Sequence, residues 1–74
     1  MFKKMKLKSE INKLKKEIVN LESKRARSQS ALVANILQKK EPDEKDVEFF
    51  NMYSKQIDEI RAQISQKEEE LSKL

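Results

Sequence analysis

Apolar residues in the second half of the chain recur every seven positions. They occupy two places in the repeat, three residues apart: Phe50, Ile57, Ile64 and Leu71 at the first, and Tyr53, Ile60, Lys67 and Leu74 at the second. A mean spacing of 3.5 residues is that of the a and d positions of a coiled coil. The pattern therefore predicts an α-helix with a single apolar seam.

The first half carries the same repeat with a polar interruption. Leucine stands at d and a β-branched residue or leucine at a, in the set Leu7, Ile11, Leu14, Ile18, Leu21 and Leu32. Arg25 at a and Ser28 at d break the seam in its middle. Because a polar residue in a seam can set the register of a coiled coil, we expect Arg25 to pair with Asp58 or Glu59 of the facing helix.

A turn is predicted between the two repeats, at the only proline of the chain. Pro42 disfavours helical backbone at Glu41, and Asp43 is a favourable helix N-cap. The boundaries that follow are a first helix at about 3–39, a turn at about 40–43 and a second helix at about 44–72. The whole chain, residues 1–74, is then one helical hairpin.

The predicted fold class is all-α, an antiparallel two-helix coiled coil. The chain has no glycine and a single proline, so it lacks the residues that tight sheet turns need. Isoleucine at a with leucine at d is also typical of parallel zippers. A parallel dimer of the first helix would place many lysines opposite each other, which favours the hairpin.

Charge divides unevenly between the two arms. Residues 1–40 hold twelve basic and three acidic residues, a net charge of +9, and residues 41–74 hold five and ten, a net charge of −5. In an antiparallel hairpin the basic opening stretch MFKKMKLK lies beside Glu68, Glu69 and Glu70. We therefore expect these lysines to pair with the acidic end of the second helix and to favour the antiparallel orientation.

The composition excludes several kinds of chemistry. The chain contains no cysteine and no histidine, so it has no disulfide, thiolate, zinc-binding histidine or histidine base. We predict no catalytic, cofactor-binding or metal-binding residue. The longest mostly apolar run, ALVANIL at 31–37, is too short to span a bilayer. We expect a cytoplasmic protein with no membrane partner.

The residues flanking the turn are more apolar than one hairpin can bury. The facing helix covers Leu32, Ile36 and Phe50, but Val33, Leu37, Phe49 and Met52 lie off the seam. With Tyr53, these four are the predicted interface. The sequence thus favours a non-enzymatic, self-associating interaction or assembly module, a homodimer or higher oligomer forming a four-helix assembly. Another protein docked at the tip stays an alternative.

A second interpretation is a small dimeric nucleic-acid-binding regulator. The first arm has more positive charge than the second arm can offset, and Lys15, Lys16, Lys24 and Arg27 are candidates for contact with phosphates. In length and in hairpin architecture the chain resembles the Rop-type plasmid copy-number regulators. That resemblance implies a dimer that binds paired RNA loops.

A third interpretation is enzymatic. The stretch SKQID at 54–58 resembles the Ser-Gln-x-x-Asp helix motif of the small two-helix aspartyl-phosphate phosphatases, matching it at Ser54 and Asp58. Lys55 replaces the glutamine that the family motif uses to position water. The resemblance implies a phosphatase that lacks this residue.

Overall fold

Two α-helices form the fold. A computed structural model describes residues 2–74, in which α1 covers Phe2–Leu37 and α2 covers Glu44–Ser72, with no strand in that part of the chain. The helices pack against each other, and the Cα trace measures 57 × 15 × 14 Å. The predicted all-α helical hairpin is confirmed.

The helices run antiparallel in the register that the two repeats predict. Ion pairs join Glu10 to Lys67 and Glu22 to Arg61, so residue numbers rise along α1 as they fall along α2. Facing seam residues line shared surface grooves: Leu7 with Leu74, Ile11 with Leu71, and Leu21 with Ile60. Each is a pairing that folding the chain about Pro42 predicts.

The core of the hairpin is small. Only three apolar side chains are buried in residues 2–74, namely Ile11, Ile57 and Ile64, and Ser28 is the one buried polar residue there. The remaining seam residues from Leu7 to Leu71 are half-buried, because one partner helix covers a single side of each. A pair of helices with so little buried apolar surface is marginally stable by itself.

A Schellman motif ends α1 two residues before the predicted boundary. The backbone N–H of Lys40 donates to the carbonyl of Asn35 over 2.9 Å, and that of Lys39 donates to the carbonyl of Ile36 over 3.0 Å. The backbone of Lys39 itself lies in the left-handed region, with φ of 57°. Glycine is the usual residue at this place, and its absence from the chain leaves a lysine in a conformation that its Cβ disfavours.

Asp43 caps the start of α2 as the sequence predicts. Its backbone is extended, with φ of −67° and ψ of 128°, and its carboxylate accepts a hydrogen bond from the backbone N–H of Lys45 over 3.0 Å. Glu44 and Asp46 add negative charge to the first turn, where it interacts favourably with the helix dipole. The second helix therefore begins at Glu44, at the residue expected.

We predict that Lys39→Gly stabilises the hairpin. Glycine removes the steric cost of the left-handed backbone, about 1 kcal/mol after allowance for its greater freedom in the unfolded chain. At a fixed protein concentration, the thermal midpoint followed by circular dichroism should rise by about 4 °C or more. Lys40→Gly is the matched control, because Lys40 does not have a positive φ. Equal midpoints for the two variants would contradict the assignment of strain to Lys39.

Candidate interaction surface at the hairpin tip

The strongest polar contact between the helices lies near the end opposite the turn. The ammonium Nζ of Lys67, a d residue of α2, donates to Oε2 of Glu10 over 2.6 Å, and each side chain keeps only about a third of its surface exposed. Farther toward the turn, Arg61 pairs with Glu22 over 3.3 Å, but both side chains are more exposed. A partly buried pair is screened less by solvent than an exposed one.

This contact changes the acidity of Glu10. The hydrogen bond from Lys67 lowers the pKa of the Glu10 carboxyl below its ordinary value of 4.5, against the opposing effect of burial, with smaller contributions from the charges of Lys67, Lys6 and Lys13. Ionisation of the Glu10 carboxyl therefore stabilises the folded state.

The direction of these ion pairs differs from the sequence expectation. Each interhelical pair in residues 2–74 takes its acid from the basic helix α1 and its base from the acidic helix α2. Lys3 and Lys6 line a groove with Glu70, and Lys8 lines another with Glu68, but none of them reaches ion-pair distance of Glu68, Glu69 or Glu70. The opening lysines lie beside the acidic end without pairing to it.

Arg25 does not set the register as expected. It is half-buried in the seam, but among the ion pairs of residues 2–74 none joins it to Asp58 or Glu59. Glu10 and Lys67 make the register-specific contact instead. The sequence signal was Lys67 itself, a charged residue at a d position, which needs a counter-ion one turn away on the facing helix.

Large apolar side chains are exposed around the tip. Leu37 is 78% exposed, Val33 and Phe49 are each 46% exposed and Met52 is 42% exposed, although all four are apolar. Val47 is exposed there as well, and so is Ile36, at 62%, which corrects the expectation that the facing helix covers it. Exposed apolar surface costs about 25 cal/mol per Å², and this set of exposed apolar side chains is concentrated at one end of the hairpin.

The predicted interface residues lie on two different sides of the tip. In an antiparallel coiled coil, e residues flank one side of the seam and g residues the other. The ion pair of Glu22 with Arg61 marks the e side, where Val33 lies at the neighbouring b position. Phe49 and Met52 lie on the g side, one heptad from Gln56 and Glu59, which line a groove with α1 there.

Tyr53 connects the seam to the exposed surface. It is half-buried at a d position, and its ring stacks on that of Phe49, one turn earlier, with centroids 6.1 Å apart and planes inclined by 17°. Offset stacking of this kind holds both rings in place. Phe49 is therefore presented to solvent as a supported, ordered side chain.

The candidate nucleic-acid residues do not share one face. All four are exposed, but Lys15 lies beside Glu68 on the e side, and Lys24 lines a groove with Glu17 and Glu59 on the g side. Lys16 lies on the outer face of α1, near Lys8 and Lys13. Arg27, the fourth candidate, occupies a c position on the g side.

The residues of the SKQID stretch differ in exposure. Ser54 is half-buried at the edge of the seam, whereas Lys55 and Asp58 are exposed. In residues 2–74 no group of three or more acidic side chains is arranged to hold a metal ion. Neither helix described here is long and apolar enough to cross a membrane.

Comparison with known proteins adds no relative to this description. No match to a known protein family, a curated protein or a solved structure is found for the chain. The case for a function therefore depends on the surface of the hairpin.

We predict that Glu10→Gln removes an acid-sensitive part of the stability. Because the pKa of Glu10 is lowered in the folded state, its contribution is present above about pH 4.5 and is lost as pH falls through the folded-state pKa. Urea unfolding at about pH 6 should show the variant less stable than the unmodified chain. The difference should shrink as the pH falls below the folded-state pKa, because the carboxyl is then protonated in both states.

Glu17→Gln is the matched control for this experiment. Glu17 occupies the same heptad position one repeat later, is exposed, and takes part in no ion pair described here. It should show a smaller pH-dependent difference. If the two variants behave alike, the contact between Glu10 and Lys67 contributes nothing specific.

Proposed function

We propose that the protein is a non-enzymatic coiled-coil hairpin that self-associates, at least to a dimer of four helices, and acts as an assembly or interaction module. The interface includes the tip residues Val33, Leu37, Phe49, Met52 and Tyr53. The absence of cysteine agrees with a reducing compartment, and we place the module in the cytoplasm.

The observation that carries this proposal is the contrast between the core and the tip. The described hairpin buries three apolar side chains but leaves Val33, Leu37, Phe49 and Met52 exposed at one end. A second copy covers this surface and adds the apolar burial that a two-helix hairpin lacks. Self-association thus covers the exposed apolar side chains and also enlarges the buried core.

Binding of nucleic acid is the second candidate function. One observation favours it: none of the lysines and arginines of α1 takes part in an ion pair within residues 2–74. The free positive charge attracts phosphates through sequence-independent electrostatics. The basic side chains are distributed around the helix, and Lys15 and Lys24 lie beside acidic residues. This distribution favours weak binding over a dedicated binding site.

We predict that the unmodified chain sediments as a dimer or larger species and that Leu37→Glu with Phe49→Glu gives monomers. Two buried carboxylates in an apolar interface are strongly unfavourable, so association should be lost. Helicity, measured by circular dichroism, should fall in parallel because an isolated hairpin is marginal. A well-folded monomer of the unmodified chain at micromolar concentration would overturn the proposal.

A matched control separates the position of the new charges from their number. Asn20→Glu with Ser65→Glu adds the same charge at exposed sites distant from the tip. This variant should keep the oligomeric state and most of the helicity. If it dissociates as readily as the tip variant, net charge and not the tip surface governs association.

We predict weak, salt-sensitive binding to a structured RNA. Fluorescence anisotropy with a labelled RNA hairpin should detect binding at about 0.05 M salt that is lost near 0.15 M. Replacing Lys15, Lys16, Lys24 and Arg27 together by glutamine should abolish the low-salt signal without loss of helicity. Tight binding at the higher salt concentration would favour nucleic-acid recognition over assembly.

A further inference from the structure

The face of α1 that points away from α2 carries a second stripe with coiled-coil spacing. It consists of the b and f positions from Phe2 to Leu37, all exposed, and Lys16 is its only charged member. Its apolar members are Phe2, Met5, Val19, Ala26, Val33 and Leu37, and its remaining uncharged members are serine or asparagine. The neighbouring c, e and g positions hold most of the charge of this helix. We call this set the outer stripe of α1.

Ten of the eleven positions of this face are uncharged, although 41% of the residues in the chain are charged. The outer stripe therefore differs from an ordinary solvated helix face, and it has large apolar side chains near both ends. Phe2 is 90% exposed and Val19 is 65% exposed, so the hairpin itself covers neither. The outer stripe is therefore an unpartnered packing face.

A shorter stripe, of seven positions against the eleven of the outer stripe, lies on the g side of α2. It consists of the c and g positions from Phe49 to Glu70, all exposed, and contains two apolar residues, three glutamines and two glutamates but no base. We call it the side stripe of α2. Within one hairpin the two stripes cannot meet, because one faces outward and the other lies beside the seam.

Charge selects which stripes can pair between copies. Two outer stripes would bring together the lysines that flank them, including Lys8 and Lys13, and two side stripes would bring together Glu59 and Glu70. An outer stripe against a side stripe brings Lys16, the one charged residue of the outer stripe, to a stripe whose charged residues are all acidic. A second copy of the chain thus offers the chemistry that the outer stripe requires, an amphipathic helix with acidic residues along its edge.

We propose that self-association pairs the outer stripe of α1 in one copy with the side stripe of α2 in the next, in antiparallel orientation. Successive members of each stripe are alternately three and four residues apart. One register therefore places seven positions of the outer stripe opposite the seven positions of the side stripe. In this register Leu37 faces Phe49 of the neighbouring copy, Val33 faces Met52 of that copy, and Lys16 faces its Glu70. Apolar residues then meet at the tip, and Lys16 with Glu70 is the one pair of opposite charges, while Phe2 and Met5 lie beyond the paired positions.

This arrangement defines how the copies lie. Within a hairpin, the numbers of two facing residues add up to about 82. Across the proposed contact, the numbers of two facing residues add up to about 86, a difference of about four residues of helix. The neighbouring hairpin therefore lies alongside, with its tip toward the same end and shifted by about 6 Å along the axis. Because the contact joins unlike faces, two associated copies together keep one free stripe of each kind, so the row stays open or closes into a ring.

Single-cysteine variants test this pairing directly, because the natural chain has no cysteine. Ser23→Cys and Gln63→Cys place one thiol in each stripe at positions that face each other in the proposed register. When equal amounts of the two proteins are mixed and oxidised, the mixed disulfide dimer should exceed each homodimer by about tenfold, against roughly twofold for random pairing. Denaturing, non-reducing electrophoresis with a size tag on one variant measures the ratio.

Two controls make the outcome specific. Ser23→Cys mixed with Gln56→Cys, one heptad out of register, should give the mixed product far more slowly. Asn20→Cys mixed with Ser65→Cys, both outside the stripes, should give no preference. A statistical mixture for the first pair, or equal yields for the two registers, would overturn the proposed contact.

The inference rests on the proposed self-association, and the two fail in different ways. If the unmodified chain sediments as a monomer, both fail. If it associates but homodimers of Ser23→Cys or of Gln63→Cys dominate, association stands and the pairing of unlike stripes is wrong. As an independent measurement, Lys16→Glu and Glu70→Lys should each weaken association by about two- to fivefold, and the doubly changed chain should recover it.

Discussion

A pair of helices shares one seam, and the small amount of surface that this seam removes from water governs the rest of the structure. Each helix turns all but one stripe toward solvent, so the apolar interior reduces to a line of half-covered side chains around Ile11, Ile57 and Ile64. The seam takes up about half of the apolar residues of the chain and covers most of them only partly. The surplus appears at the tip and along the outside of α1, where it defines the surfaces available to other molecules.

Because the core is thin, polar contacts carry much of the specificity. Apolar seams tolerate sliding by a heptad, since leucine packs on isoleucine about as well in either register. A slide by one heptad that brings Lys3 to the place of Glu10 would put two basic residues together at the seam, whereas the opposite slide would bring Glu17 there and keep a counter-ion for Lys67. The ion pair therefore disfavours one of the two slides.

The sequence predicted the architecture well because the architecture depends on local and periodic features. The heptad spacing gave both helices and their register, and Pro42 with Asp43 located the start of α2. The end of α1 was missed by two residues, since the Schellman motif uses Lys39 where a glycine would have signalled it. The ion pairs were predicted poorly, because net charge per arm says nothing about which long side chains reach each other.

The candidate surface was predictable in composition but not in layout. Counting apolar residues near the turn identified Val33, Leu37, Phe49 and Met52, all of which are exposed. Their division between two sides of the tip requires the heptad position of each residue together with the antiparallel pairing of e with e and g with g. The outer stripe of α1 was missed, although it is visible as a second run of uncharged residues with the same spacing.

The short connection between the helices has a consequence for the order in which the molecule forms. Contacts near the turn close the smallest loop and cost the least chain entropy, whereas Leu7 and Leu74 are almost the whole chain apart. Loop entropy therefore favours folding from the turn outward, with the ends of the chain joining last. In that order the surface around Phe49 and Leu37 is complete while the open end of the hairpin is still unpaired.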